Sequence, residues 1–228
     1  MLQSQKGAAL HVVSFSSRKG GSGKSTLAAH LSVFADRLGQ PALLIDTDPQ
    51  GSLAFWHELR AAETPVLVKC DHKEIAAVIA DARREQVDWV FIDTPPHASA
   101  AIADAMRASD LIVIPLRPAV FDIAAVATTL EMAQAIGKPV LPVINAAPAK
   151  RIIGEPAVVH EARAALKGLG ATAWAGQVTQ RAAFGHALAS GQAVNEFEPS
   201  SAAAKEMEAL WATVQATVTG KPTKKGRK

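Results

Sequence analysis

Two lysines five residues apart, Lys19 and Lys24, lie in the run Arg18-Lys19-Gly20-Gly21-Ser22-Gly23-Lys24-Ser25-Thr26, directly after the apolar stretch Val12-Val13-Ser14-Phe15. A glycine-rich turn between a strand and a helix aims backbone N–H groups at a phosphate chain, and the helix N-terminus adds about half a positive charge. Gly23-Lys24-Ser25 meets the second half of the pattern G-x-x-x-x-G-K-[ST], with Arg18 where the first glycine belongs. The run predicts a nucleotide site in which residues Lys19 to Thr26 surround the phosphates.

A triphosphate requires a divalent cation, and Mg²⁺ takes oxygens from one or two protein groups, the phosphates and water. Ser25 is the expected hydroxyl ligand. Two further segments offer carboxylates: Leu43-Leu44-Ile45-Asp46-Thr47-Asp48-Pro49-Gln50-Gly51 and Val90-Phe91-Ile92-Asp93-Thr94-Pro95-Pro96. An isolated Asp after a strand is commonly a turn or cap residue. Two such segments, each closing a buried apolar run downstream of a phosphate loop, predict carboxylates gathered on one ligand-binding edge.

The elements that must hold these residues alternate along the chain. Residues 11–16, 42–46, 65–69, 88–92, 110–114 and 139–144 read as strands. Alanine-rich stretches near 25–38, 51–62, 72–86, 98–108 and 121–136 read as helices. This pattern predicts an α/β fold of the three-layer P-loop NTPase type, a mostly parallel twisted sheet with helices on both faces. Beyond residue 146 a helix is expected at 155–168, 171–178 could form a last strand, and 200–218 reads as a helix. Its Met207, Leu210, Trp211 and Val214 make a short apolar stripe, expected to pack in the core. One domain is expected over 1–218, followed by a disordered basic tail, 219–228.

At 228 residues the chain can bury a core without disulfides or structural metal. Cys70 is the only cysteine, so no disulfide framework or cysteine-ligated cluster can be built within one chain; a passive buried thiol is expected. No apolar run approaches the roughly 20 residues that span a bilayer, and the N-terminus lacks a signal-peptide layout, so a cytoplasmic location is expected. The net charge of +3 is unevenly placed. Five basic residues and no acid occupy 221–228, and residues 137–195 hold six basic residues against Glu155 and Glu161.

The string K-G-G-x-G-K-S-T resembles the deviant Walker A box of the ParA and MinD family of partitioning and positioning ATPases, and D-x-D-P-Q-G and D-T-P-P look like its Walker A′ and Walker B boxes. The resemblance covers roughly residues 10–215. It implies ATP and Mg²⁺ as ligands, with Lys24 on the β- and γ-phosphates, Asp93 holding Mg²⁺ through water, Asp48 positioning the attacking water and Asp46 supporting the metal's hydration shell. Lys19 would reach across a homodimer to the partner's phosphates, as an arginine finger does. Asn145 occupies the place where relatives contact adenine, although a strand-end Asn is as often a turn former. The resemblance further implies slow hydrolysis, stimulated by a ParB-like or cargo-adaptor protein, and nonspecific nucleoid DNA as the surface bound by the ATP dimer. Lys150, Arg151, Lys167 and Arg181 are the candidate DNA contacts, Arg181 having a second reading as part of a recurrent structural segment. A membrane-bound MinD-like protein and a metabolic ligase of the same superfamily are the rival expectations.

Overall fold

The computed structural model describes residues 9–149 and 154–220. Lys150, Arg151 and the basic tail from residue 221 lie outside them. The elements run β1 (His11–Phe15), α1 (Lys24–Arg37), β2 (Ala42–Asp46), α2 (Ser52–Glu58), β3 (Val66–Lys69), α3 (Ile75–Arg84), β4 (Trp89–Asp93), α4 (Ser99–Ala108), β5 (Leu111–Leu116), α5 (Val120–Ile136) and β6 (Val140–Ile144). They continue with α6 (Ala157–Gly168), α7 (Ala182–Ala189), α8 (Val194–Phe197) and α9 (Ala202–Thr219). The six strands form one parallel sheet in the order β3-β2-β4-β1-β5-β6.

Strands β2, β4 and β5 are buried along their whole length, the pattern of a parallel sheet covered on both faces. Alternate residues serve different layers. Val13, Phe15, Leu44, Phe91 and Val113 pack with α1 and α9, whereas Val12, Leu43, Ile45, Val90 and Ile92 pack with α3. Ile112, Ile114 and Leu116 meet α5 and α6. Helix α1 has buried residues on nearly every side, Leu27, Ala28, Ala29, Leu31 and Val33 among them, because it is sandwiched between the sheet and α9.

Met207, Leu210, Trp211 and Val214 of α9 are all buried, as the stripe predicted. The Trp211 ring stands edge-on to Trp89, 4.7 Å between centroids, and 6.0 Å from Phe91. Trp211→Ala should therefore cost about 3–5 kcal/mol, read as a shift in urea midpoint; a loss below about 1 kcal/mol would show that α9 is not fastened by this cluster.

The expected strand at 171–178 is absent. Arg163 of α6 holds that segment as a loop, donating to the carbonyls of Trp174 at 2.5 Å, Ala175 at 3.2 Å and Gly176 at 2.7 Å while its Nε pairs with Glu155. Only at Thr179 does the chain bridge to Ala147, in parallel. Helices α7 and α8 lie in a stretch that carried no helical expectation, and Gly220 ends α9 in the left-handed conformation, inside the boundary drawn for the tail.

His30 ties α1 to α8, accepting a hydrogen bond on Nδ1 from the Val194 N–H at 3.0 Å, with its ring edge-on to Phe184. Burial pushes its pKa down to about 3. The unfolded chain takes up that proton near pH 6.5, so the stability this residue contributes is complete above 6.5 and is lost as pH falls toward 3, by about 1.4 kcal/mol per unit. The stability difference between the wild type and His30→Gln should narrow by that slope between pH 6.5 and 5, and a constant difference would contradict a neutral buried imidazole.

Candidate functional site

Strand register sets the geometry. Asp93 at the end of β4 lies beside Phe15 of β1 and beside Asp46 of β2, so the phosphate loop and both carboxylate segments leave the sheet at one edge. Hydroxyls lock the strand ends together: Thr94 Oγ1 donates to the Phe15 carbonyl at 2.8 Å, and Thr47 Oγ1 to the Asp93 carbonyl at 2.7 Å.

The loop between β1 and α1 closes on Gly23, whose φ of 102° and surroundings both demand glycine. A Cβ there would stand 2.0 Å from Asn145 Nδ2, which donates to the Ser22 carbonyl at 2.7 Å. Asn145 thus braces the phosphate loop from β6. Lys24 is buried at 6 % exposure and turns back across the loop, its Nζ 3.4 Å from the Lys19 carbonyl. Burial lowers its pKa, opposed by the charges of Asp93 and Asp48. A desolvated ammonium beside backbone N–H groups is an anion site in want of its anion.

Asp93 is 1 % exposed and neither carboxylate oxygen has a hydrogen-bond partner. Burial raises its pKa to about 7; the nearby Ser25 hydroxyl and Lys24 ammonium pull it down while Asp46 and Asp48 push it up. Such an orphaned carboxylate fits a cation or its water shell. Among the described residues no group of three or more His, Cys, Asp or Glu side chains that could hold a metal ion occurs.

Asp46 is committed locally. Its Oδ1 accepts from the Asp48 N–H at 3.0 Å and its Oδ2 from the Ala54 N–H at 3.1 Å, while burial raises its pKa. The residue therefore shapes the turn that presents Asp48, whose own carboxylate caps the Gln50 N–H at 3.0 Å on the rim of the cavity.

A cavity of about 490 Å³ joins these parts. Gly20, Gly21, Gly23, Lys24, Ser25, Thr26 and Asp48 line one part of it, and Asn145, Ala146, Val178, Thr179, Gln180, Arg181 and Phe184 another. Ser22 and Asp93 are buried and do not line it. Lys19 is not among the lining residues. Its side chain, 37 % exposed, is ion-paired with Asp122, which is nearly buried in the first turn of α5. Val120 and Phe121 next to it are 79 % and 81 % exposed.

A model of the CobQ/CobB/MinD/ParA nucleotide-binding domain matches residues 13–221. The chain belongs to that family. Among curated proteins it is 31% identical over 123 residues to Protein ParA of Rhizobium radiobacter, covering 53% of this chain and 55% of that one. It is 34% identical over 125 residues to the maintenance of carboxysome distribution protein A of Halothiobacillus neapolitanus, covering 53% and 56%. The matches thus span about half the length of those relatives. Among solved structures, the ATP complex of Cyanothece McdA superposes with a TM-score of 0.76 at 18% identity, covering 96% of this chain and all of that one. MinD with Mg-ADP from Pyrococcus horikoshii superposes with a TM-score of 0.73 at 16% identity, covering 90% and 96%. The α/β P-loop fold expected for a ParA and MinD-type chain is the fold observed.

Within this nucleotide-binding domain, Arg117 lines the cavity without having been anticipated. The signal was present: Arg117 directly follows β5, on the edge where Asp93 closes β4, a charge at a strand end. Arg181, a candidate DNA contact, lines the cavity and pairs with Glu206 at 3.0 Å. Arg163 is likewise engaged internally, so these two of the described basic residues of 137–195 are held by groups of their own chain. Lys167 is exposed in the last turn of α6, and Lys150 and Arg151 fall outside the described residues.

Proposed function

We propose that the chain is an ATP-hydrolysing partition or positioning protein whose ATP-bound homodimer holds nonspecifically to nucleoid DNA. A ParB-like or cargo-adaptor partner would stimulate hydrolysis and release it. The observation that carries this reading is the different placement of the two lysines. Lys24 lines the cavity, while Lys19, five residues earlier on the same loop, does not and is ion-paired with Asp122, which follows the exposed Val120 and Phe121.

In this reading the backbone N–H groups of Gly20 to Thr26 and the Lys24 ammonium bind the phosphates, and Asn145 keeps the loop in shape. Ser25 and Asp93 would hold Mg²⁺, directly and through water; the ion, when bound, neutralises charge on the phosphate oxygens. Asp48, presented by Asp46, orients the attacking water. Lys19 leaves Asp122 and supplies its charge to the triphosphate of a twin subunit. Val120 and Phe121 lie on the face that would meet that twin.

Lys167, with Lys150, Arg151 and the tail lysines, would contact phosphates of DNA, whose affinity falls steeply with salt. Among the described residues no helix is long and apolar enough to cross a membrane, and the stripe of α9 is internal. Co-sedimentation with DNA across a salt series, with ATP and with ADP, tests the reading. Retention confined to ATP and lost with salt is expected; equal retention in both nucleotides overturns it, and retention on liposomes in place of DNA would favour a membrane-positioned protein.

A further inference from the structure

We infer that Glu206 of α9 is the positioning residue for the nucleoside end of the cavity, holding Thr179 and Arg181 in the wall against which base and ribose lie; this rests on the ATP reading above. The wall is built from two chain segments. The Val178 N–H donates to Ile144 at 2.9 Å, the Ala147 N–H to Val178 at 3.0 Å and the Gln180 N–H to Ala147 at 2.8 Å, so residues 178–180 run beside the chain leaving β6. Alternate N–H groups of an extended segment point to opposite sides, and the Thr179 N–H faces away from β6, where the sheet has no further strand.

Glu206 supplies what a strand would have. Its Oε2 accepts the Thr179 N–H at 2.9 Å, and its Oε1 accepts Thr179 Oγ1 at 2.8 Å and the Arg181 guanidinium at 3.0 Å. Three donors converge on one carboxylate whose side chain is 19 % exposed. Arg181 has a buried Nε with no hydrogen-bond partner, and its side chain lines the cavity. The same ion pair holds the guanidinium in the wall, where it serves the nucleoside rather than migrating to the phosphates.

The test compares the full-length wild type, Glu206→Gln and Glu206→Ala for binding of ATP, ADP and inorganic tripolyphosphate by calorimetry. Loss of the carboxylate should weaken ATP and ADP about tenfold, the scale of one charge-assisted hydrogen bond, while tripolyphosphate binds as before or more tightly to the released Arg181. A merely structural role would weaken all three ligands in parallel. That parallel loss, or no change in any ligand, overturns the inference. Glu206→Gln keeps the size and one acceptor, so it carries the test if Glu206→Ala does not fold, as circular dichroism will show. A wild type that binds neither ATP nor ADP sinks the nucleotide reading itself, whereas intact nucleotide binding with unaltered ligand ratios in Glu206→Gln sinks only this inference.

Discussion

Replacing Lys19 by alanine is expected to lower ATP hydrolysis by about 10³- to 10⁵-fold, the scale of a cation supplied in trans to phosphoryl transfer, with ATP affinity nearly unchanged. Binding should survive because Lys24 and the glycine loop form the cradle without Lys19. The trans assignment has its own check. Asp48→Ala should bind ATP and accumulate as an ATP-bound dimer that does not turn over. In a mixture of Lys19→Ala with Asp48→Ala, one site of each mixed dimer pairs an intact Asp48 with an intact lysine from its twin. Hydrolysis should return in the mixture although neither variant hydrolyses alone. A lysine acting within its own subunit would give no such recovery, and wild-type turnover by Asp48→Ala would refute the water-positioning role.

Asp93→Asn should stabilise the ligand-free chain while removing Mg²⁺-dependent hydrolysis. The sign follows from burial. Asp93 has a folded pKa of about 7 against an ordinary value of 3.8, so its favourable contribution is complete below 3.8 and is lost as pH rises through 7. Above pH 7 the folded chain carries an ionised, unpartnered carboxylate, a cost of about 4 kcal/mol that the amide does not incur. Urea unfolding without nucleotide or Mg²⁺ should show the variant ahead by roughly that amount at pH 8, with the gap shrinking toward pH 4. Added Mg²⁺ and ATP should then stabilise the wild type and not the variant. A variant less stable than the wild type at pH 8 would mean that Asp93 has a native partner.

The candidate site is assembled from short runs that can be read in the sequence. Gly20 to Thr26 are consecutive, and Asp46, Asp48 and Asp93 each follow an apolar run whose end marks the ligand edge of a parallel sheet. Six strands and the helices up to α6 were likewise legible from alternating apolar periods. Arg117 was missed although it obeys the same strand-end rule. The segment 171–178 was misjudged because its apolar residues suit a strand, while the fate of its carbonyls was settled by Arg163, a side chain outside the segment.

The chain's order of residues alone determined the layered α/β architecture, the phosphate loop and the carboxylates beside it, since each is written in contiguous sequence or in a period of two or 3.6 residues. Tertiary structure decided which charges are free. Arg181 is bound to Glu206, 25 residues away, Arg163 to a loop, Lys19 to Asp122, 103 residues away, while Asp93 is buried with no ion-pair partner among the described residues. The reason is that an ion pair or an orphaned carboxylate depends on which groups meet in space at low dielectric, and sequence separation carries no record of that meeting.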